Sequence, residues 1–95
     1  MPVMIVKLSV GDFARWKAEY DQLEMLRREH GWTAHEIYRD DIEPNSVVIV
    51  NHVGDLNRAK AYLGSDDVRS GVQRAGVQGP PEVWYLSEAE VKQYG

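Results

Sequence analysis

Hydrophobic side chains fall along this chain in two rhythms. Val3-Met4-Ile5-Val6-Lys7-Leu8 is an almost unbroken apolar, β-branched run, the pattern of a strand covered on both faces. Beyond Gly11, Phe13, Trp16, Tyr20, Leu23 and Leu26 recur every three or four residues, which predicts a helix with one apolar face. Asp12 is placed to accept from the free N–H groups of its first turn. Gly31 offers a left-handed stop, after Arg27, Arg28 and His30, whose positive charge suits the negative helix end.

Trp32 to Arg39 and Ser46 to Val53 read as two strands joined by the polar turn Asp40-Asp41-Ile42-Glu43-Pro44-Asn45, a hairpin. Asp55 can cap a helix beginning at Leu56 and burying Leu56, Ala59, Tyr62 and Leu63. That helix is interrupted at Gly64-Ser65, where Ser65 or Asp66 can start a second piece carrying Val68, Val72 and Ala75 before Gly76. Gly79-Pro80-Pro81 imposes an extended lead into a last strand, Val83–Leu86. Ser87-Glu88-Ala89-Glu90 fits a capping box and predicts a short terminal helix. The order β-α-β-β-α-β is the ferredoxin-like arrangement, an α+β fold with a four-stranded antiparallel sheet. Right-handed crossovers put both helical segments on one face of that sheet. Residues 1–95 form one domain on this reading.

The strands, however, are apolar on both faces. Val3 and Ile5 oppose Met4, Val6 and Leu8; Val47 and Ile49 oppose Val48 and Val50; Val83 and Tyr85 oppose Trp84 and Leu86. Helices on one side leave the other bare, and each larger side chain left wet forfeits roughly 1.5–3 kcal/mol. Summed over the face, that rivals the stability of a whole small domain, about 5–15 kcal/mol. A twofold homodimer packing sheet on sheet is the simplest closed solution.

Composition narrows the chemistry. The absence of Cys excludes disulfides, thiolate nucleophiles and Cys-ligated metals. A net charge of −4, with acids and bases interspersed, argues against nucleic acid or an anionic membrane as partner. The N-terminal apolar run is too short for a signal peptide and no stretch approaches a membrane span, so a cytoplasmic location is expected. No phosphate loop, nucleophile elbow or His-Glu-x-x-His motif is present, which sets aside kinases, nucleotide-binding dehydrogenases and serine hydrolases.

Five segments carry a family resemblance: Phe13-Ala14-Arg15-Trp16-Lys17, Tyr38-Arg39-Asp40, Val47-Val48-Ile49-Val50, Arg58-Ala59-Lys60-Ala61-Tyr62-Leu63 and Val72-Gln73-Arg74-Ala75-Gly76-Val77. With them, nearly the whole chain resembles the dimeric α+β barrel superfamily of antibiotic-biosynthesis monooxygenase-like and cyclase-like proteins. The resemblance implies a homodimer with a pocket between each sheet and its helices. It also implies a small-molecule enzyme that needs no tightly bound cofactor and acts on an aromatic or polyketide-like substrate, as a monooxygenase, isomerase or cyclase. The alternative within the same fold is a non-catalytic ligand-binding or stress-response dimer. Many relatives carry Glu and Trp at the end of the third strand, where this chain has Asn51-His52-Val53, so no relative's mechanism transfers residue by residue.

The catalytic candidates are His35, Asn51 and His52, polar residues in otherwise apolar strands. A hairpin closed symmetrically about Glu43 sets His35 opposite Asn51; a one-residue bulge would set it opposite His52. An imidazole titrates near neutrality and suits a general base, and Asn51 could donate to a developing oxyanion. The competing role is purely structural, hydrogen bonding to the sheet or to the dimer mate. No ligand spacing supports metal binding by His35 and His52. For the substrate, Tyr20, Tyr62 and Trp84 could line an apolar slot, with Trp16 read as core, and Arg39, Arg69 or Arg74 could hold a carboxylate or phenolate.

Overall fold

The four strands close into one antiparallel sheet of order β2-β3-β1-β4, in a computed structural model that describes residues Met1–Gly95. Along the chain the elements are β1 (Pro2–Val10), α1 (Phe13–Gln22), α2 (Glu24–Glu29), β2 (Trp32–Arg39), β3 (Ser46–Val53), α3 (Leu56–Leu63), α4 (Asp66–Arg74) and β4 (Val77–Ser87). The hydrophobic core lies between the sheet and its helices. Met4, Val6, Leu8 and Val10 from β1 and Val47, Ile49 and Val53 from β3 meet Trp16, Ala59, Tyr62 and Ala75 from above. No helix is long and apolar enough to cross a membrane.

Local chemistry explains most boundaries. Asp12, Asp55 and Ser65 each accept from an N–H of the helix that follows, as their positions predict. Gly31 and Gly76 take positive φ where α2 and α4 end. In the hairpin turn, the Asp40 carboxylate accepts from the N–H groups of Ile42 and Glu43, at 3.0 and 2.8 Å, which holds its pKa below the usual carboxylate value. That turn sets the symmetric register, and His35 faces Asn51.

Four features depart from the sequence reading. The first helix is two, because Leu23 leaves helical geometry and separates α1 from α2. A bulge does occur in β2, but between Trp32 and Ala34, so it leaves His35 opposite Asn51. β4 begins at Val77 rather than Val83. It is an edge strand, where proline's missing N–H is tolerated, and Gly79-Pro80-Pro81 fills a register shift against β1. The predicted terminal helix is absent: Ser87 closes β4 and the chain beyond it is irregular. A helix that short is marginal without an apolar face to bury. Val91 and Tyr94 are exposed at 76% and 93%.

The helices cover one face only. On the other, Val3, Ile5, Val48 and Val50 are half-buried, and Trp84 and Leu86 stand 43% and 42% exposed at the β4 edge.

Asp55 is the cleanest test of the local account, since its Oδ1 accepts from Asn57 N at 2.8 Å and Arg58 N at 3.4 Å. Asp55→Ala is expected to cost about 1 kcal/mol, lowering the melting temperature by roughly 4–8 °C. Asp55→Asn should keep most of it. Thermal denaturation followed by circular dichroism reads both.

Candidate functional site

Between the sheet and the helices lies a cavity of about 520 Å³, walled mainly by apolar side chains. Its floor is the helix-side face of β1 and β3, with Met4, Val6, Leu8 and Ile49. Its far wall is α4 with the residue that caps it, contributing the small side chains of Val68, Val72 and Ala75. Gly71 allows α4 to lie close: a Cβ there would come within 2.8 Å of Leu23 Cδ1. Small residues on α4 leave the space that larger ones would fill.

A few polar groups interrupt this wall. Asn51, 3% exposed, is fixed at both ends of its amide. Its Nδ2 donates to the Met4 carbonyl at 2.9 Å, and its Oδ1 accepts from Trp32 Nε1 at 2.8 Å. The Trp32 indole is thereby held across three strands and packs edge-on against Tyr62, with centroids 5.3 Å apart. The bulge at Thr33 makes this possible. In an unbroken pleat Trp32 and His35 would point to opposite faces; the extra residue puts both on the helix side.

Tyr20 and Arg27 form the second polar group. The Arg27 guanidinium, 3% exposed, lies 3.6 Å from the centre of the Tyr20 ring and donates from Nη1 to the Tyr20 carbonyl at 2.8 Å. Its Nε and Nη2 have no hydrogen-bond partner, and neither has the Tyr20 hydroxyl. Burial pushes the Tyr20 pKa up to about 12, against the opposing pull of Arg27. Burial also raises Tyr62, opposed by the charge of Arg27 and by the hydrogen-bonding approach of the Arg27 side chain to the Tyr62 hydroxyl. Both phenols therefore stay protonated at physiological pH and can act as donors.

His35 opens on a smaller depression of about 280 Å³, which shares Arg27 and Trp32 with the main cavity. Its ring meets Tyr20 edge-on at 5.3 Å. Burial, and then the charges of Arg27 and Lys17, depress its pKa, so the imidazole is neutral near pH 7.

The structure thus brings Tyr20, Tyr62 and Asn51 to the cavity, with His35 beside it. It places three other candidates elsewhere. His52 follows Asn51 in β3 and so points to the opposite face, where Nε2 lies 2.8 Å from Glu36 Oε2. His35 and His52 consequently cannot share a metal ion. Arg39 lies over the Phe13 ring and donates to the Pro44 carbonyl, away from the cavity. Trp84 faces out beside Ile5 because β4 pairs with β1 in that register. Of the other arginines, Arg69 reaches the cavity rim and Arg74 pairs with Glu19 at 3.3 Å.

Sequence reasoning missed Arg27 and Trp32 as site residues. For Arg27 a signal existed: Phe13, Trp16, Tyr20, Leu23 and Arg27 continue a three-four spacing, so the arginine stands where an apolar residue is due. The indole could not be placed without the bulge.

No family model matches the chain, and no curated relative does. Solved structures do match its fold. An antibiotic biosynthesis monooxygenase superposes with a TM-score of 0.71 at 17% identity, over 95% of this chain and 100% of that one. A candidate antibiotic biosynthesis monooxygenase from Bordetella bronchiseptica gives 0.78 at 17% identity, over 94% and 97%. SnoaB, a cofactor-independent oxygenase from Streptomyces nogalater, gives 0.75 at 14% identity, over 95% and 94%. The chain has the ferredoxin-like α+β fold of the antibiotic biosynthesis monooxygenase structures.

Proposed function

We propose that this protein is a small-molecule enzyme working without a tightly bound cofactor, a monooxygenase-like catalyst for a flat aromatic or polyketide-like substrate. The carrying observation is the cavity itself: about 520 Å³, largely apolar, with aromatic walls and a handful of buried polar groups. The fold neighbours described as cofactor-independent oxygenases make oxygenation the leading chemistry.

The reaction needs a substrate that can supply electrons itself. A phenol or activated carbon acid loses a proton, and the electron-rich anion reduces dioxygen. One oxygen atom is retained as a carbonyl and the other leaves as water, so that CH₂ plus O₂ becomes C=O plus H₂O. The Tyr20 hydroxyl, protonated and without a partner, is assigned to stabilise the oxyanion. The second N–H of Asn51 supports the same charge. His35 is neutral and stands beside Tyr20, which fits it to take the substrate's proton from the smaller depression.

Two copies are proposed to associate sheet on sheet through the face bearing Val3, Ile5, Val48, Val50, Trp84 and Leu86. Its exposed apolar area is what supports this reading.

A second reading, a non-catalytic ligand binder, draws support from Asn51, whose amide is already engaged at both atoms.

Oxygen uptake with hydroxylated anthracene-type substrates separates the two. The wild type should consume oxygen, and Tyr20→Phe should lose roughly a hundredfold in rate. Because the lost hydroxyl is unpaired, Tyr20→Phe should melt no lower than wild type. Ligand-induced thermal stabilisation with no oxygen uptake would establish the binder instead. For the dimer, light scattering at micromolar concentration should give twice the chain mass, and Trp84→Lys with Leu86→Lys should shift it toward one. A wild type that stays a single chain ends that part of the proposal.

A further inference from the structure

Arg27 is a buried cation without a counter-ion. None of the chain's ion pairs includes it, although acidic side chains are plentiful on the neighbouring helix surface. Part of its charge is met by the C-terminal end of α1, through the Tyr20 carbonyl, and part by the face of the Tyr20 ring. Apart from the approach of its side chain to the Tyr62 hydroxyl, its remaining donors, Nε and Nη2, meet no partner of good hydrogen-bonding geometry. Burying an ionised group unpaired is costly, and a hydrophobic side chain of similar size would normally serve better.

The two orphaned nitrogens are informative. Nε and Nη2 lie on the same edge of the guanidinium, the edge that a carboxylate takes with two parallel hydrogen bonds. The edge is shielded from solvent, so an oxygen reaching it meets an undiminished charge. Arg27 also borders both depressions, and the unpartnered Tyr20 hydroxyl supplies a further donor to the same region. No other group on the cavity wall combines burial, fixed charge and free donors.

We propose that the natural ligand of the cavity carries a carboxylate, and that this group binds the Nε/Nη2 edge of Arg27 while the aromatic body lies on the apolar floor. The inference rests on the reading of the cavity as a ligand site and names the chemical class of its occupant. Because both nitrogens are shut off from solvent, the carboxylate reaches them by displacing the side chains that cover them, from one of the two depressions that Arg27 borders. Arg27 is then an anchor that fixes substrate orientation, distinct from the oxyanion donors.

The test compares naphthoate with its neutral isostere naphthamide, using the full chain and no turnover. In thermal-shift titrations up to about 10 mM, naphthoate should stabilise the wild type, and naphthamide should bind roughly tenfold more weakly. Arg27→Met should erase the preference for the charged probe, and Arg27→Lys should keep part of it. In parallel, the Arg27 Nε–H resonance of the wild type should move with naphthoate and stay still with naphthamide, a readout that survives any loss of fold in the variants. Equal response to both probes, no response to either, or a preference that persists in Arg27→Met overturns the proposal. Since neither measurement involves oxygen uptake, a failed oxygenation assay leaves this result standing, and the reverse also holds.

Discussion

Along β3, side chains alternate between two environments that differ in kind, and this pleat divides the molecule's tasks. Val47, Ile49, Asn51 and Val53 face the helices and are buried, whereas Val48, Val50 and His52 face away and are half-covered. β3 lies inside the sheet, so its pairing fixes the same alternation on β1 and, from Ala34 onward, on β2. Asn51 exploits this position by holding the β1 backbone on one side and the Trp32 indole from β2 on the other. The proposed ligand site and the proposed association surface can therefore share one layer of backbone without sharing a side chain.

Much of that layer was legible because its signals are local. Asp12, Asp55 and Ser65 announce helix starts by their own hydrogen-bonding chemistry, and the Asp40 turn fixes the hairpin register from within. What escaped depends on partners distant in sequence. The Leu23 break belongs to a segment whose spacing would continue an uninterrupted helix. The length of β4 depends on an edge position that lets two prolines sit beside β1. Conversely, Ser87 to Glu90 has the residues of a helix start but nothing to pack on, so the local signal went unused.

The site divides the same way. Tyr20 and Tyr62 were foreseeable, since each couples an apolar ring with a polar tip on a core-facing helix position. His52 was misplaced beside Asn51 because adjacency in sequence means opposition in a strand. Arg27 escaped because basic residues near a helix end are usually solvated. In one uninterrupted helix Arg27 would stand seven residues, about 10 Å of rise, beyond Tyr20. The break at Leu23 helps return its guanidinium to the Tyr20 carbonyl. Arg15 and Arg58 close the ends of α4 and α2 in a similar manner, donating to the carbonyls of Arg74 and Glu29. Only Arg27 does so from the interior, where its spare donors are shut off from water.

The extra residue at Thr33 gives the sheet one place where the chain can change length without changing its facing. Upstream, in the turn around Gly31, an inserted residue can loop outward and leave the strand untouched. At Thr33 itself, deletion would leave Trp32 opposite Val53 and Ala34 opposite His52 in a regular pleat, and the indole would stay on the helix side. Asn51 would keep the partner of its Oδ1 and the cavity its aromatic wall. Straightening the bulge at constant length would do the opposite, slipping Trp32 one position along β3 and turning its indole to the bare side. The chamber thus tolerates a shorter β2 but not a straighter one.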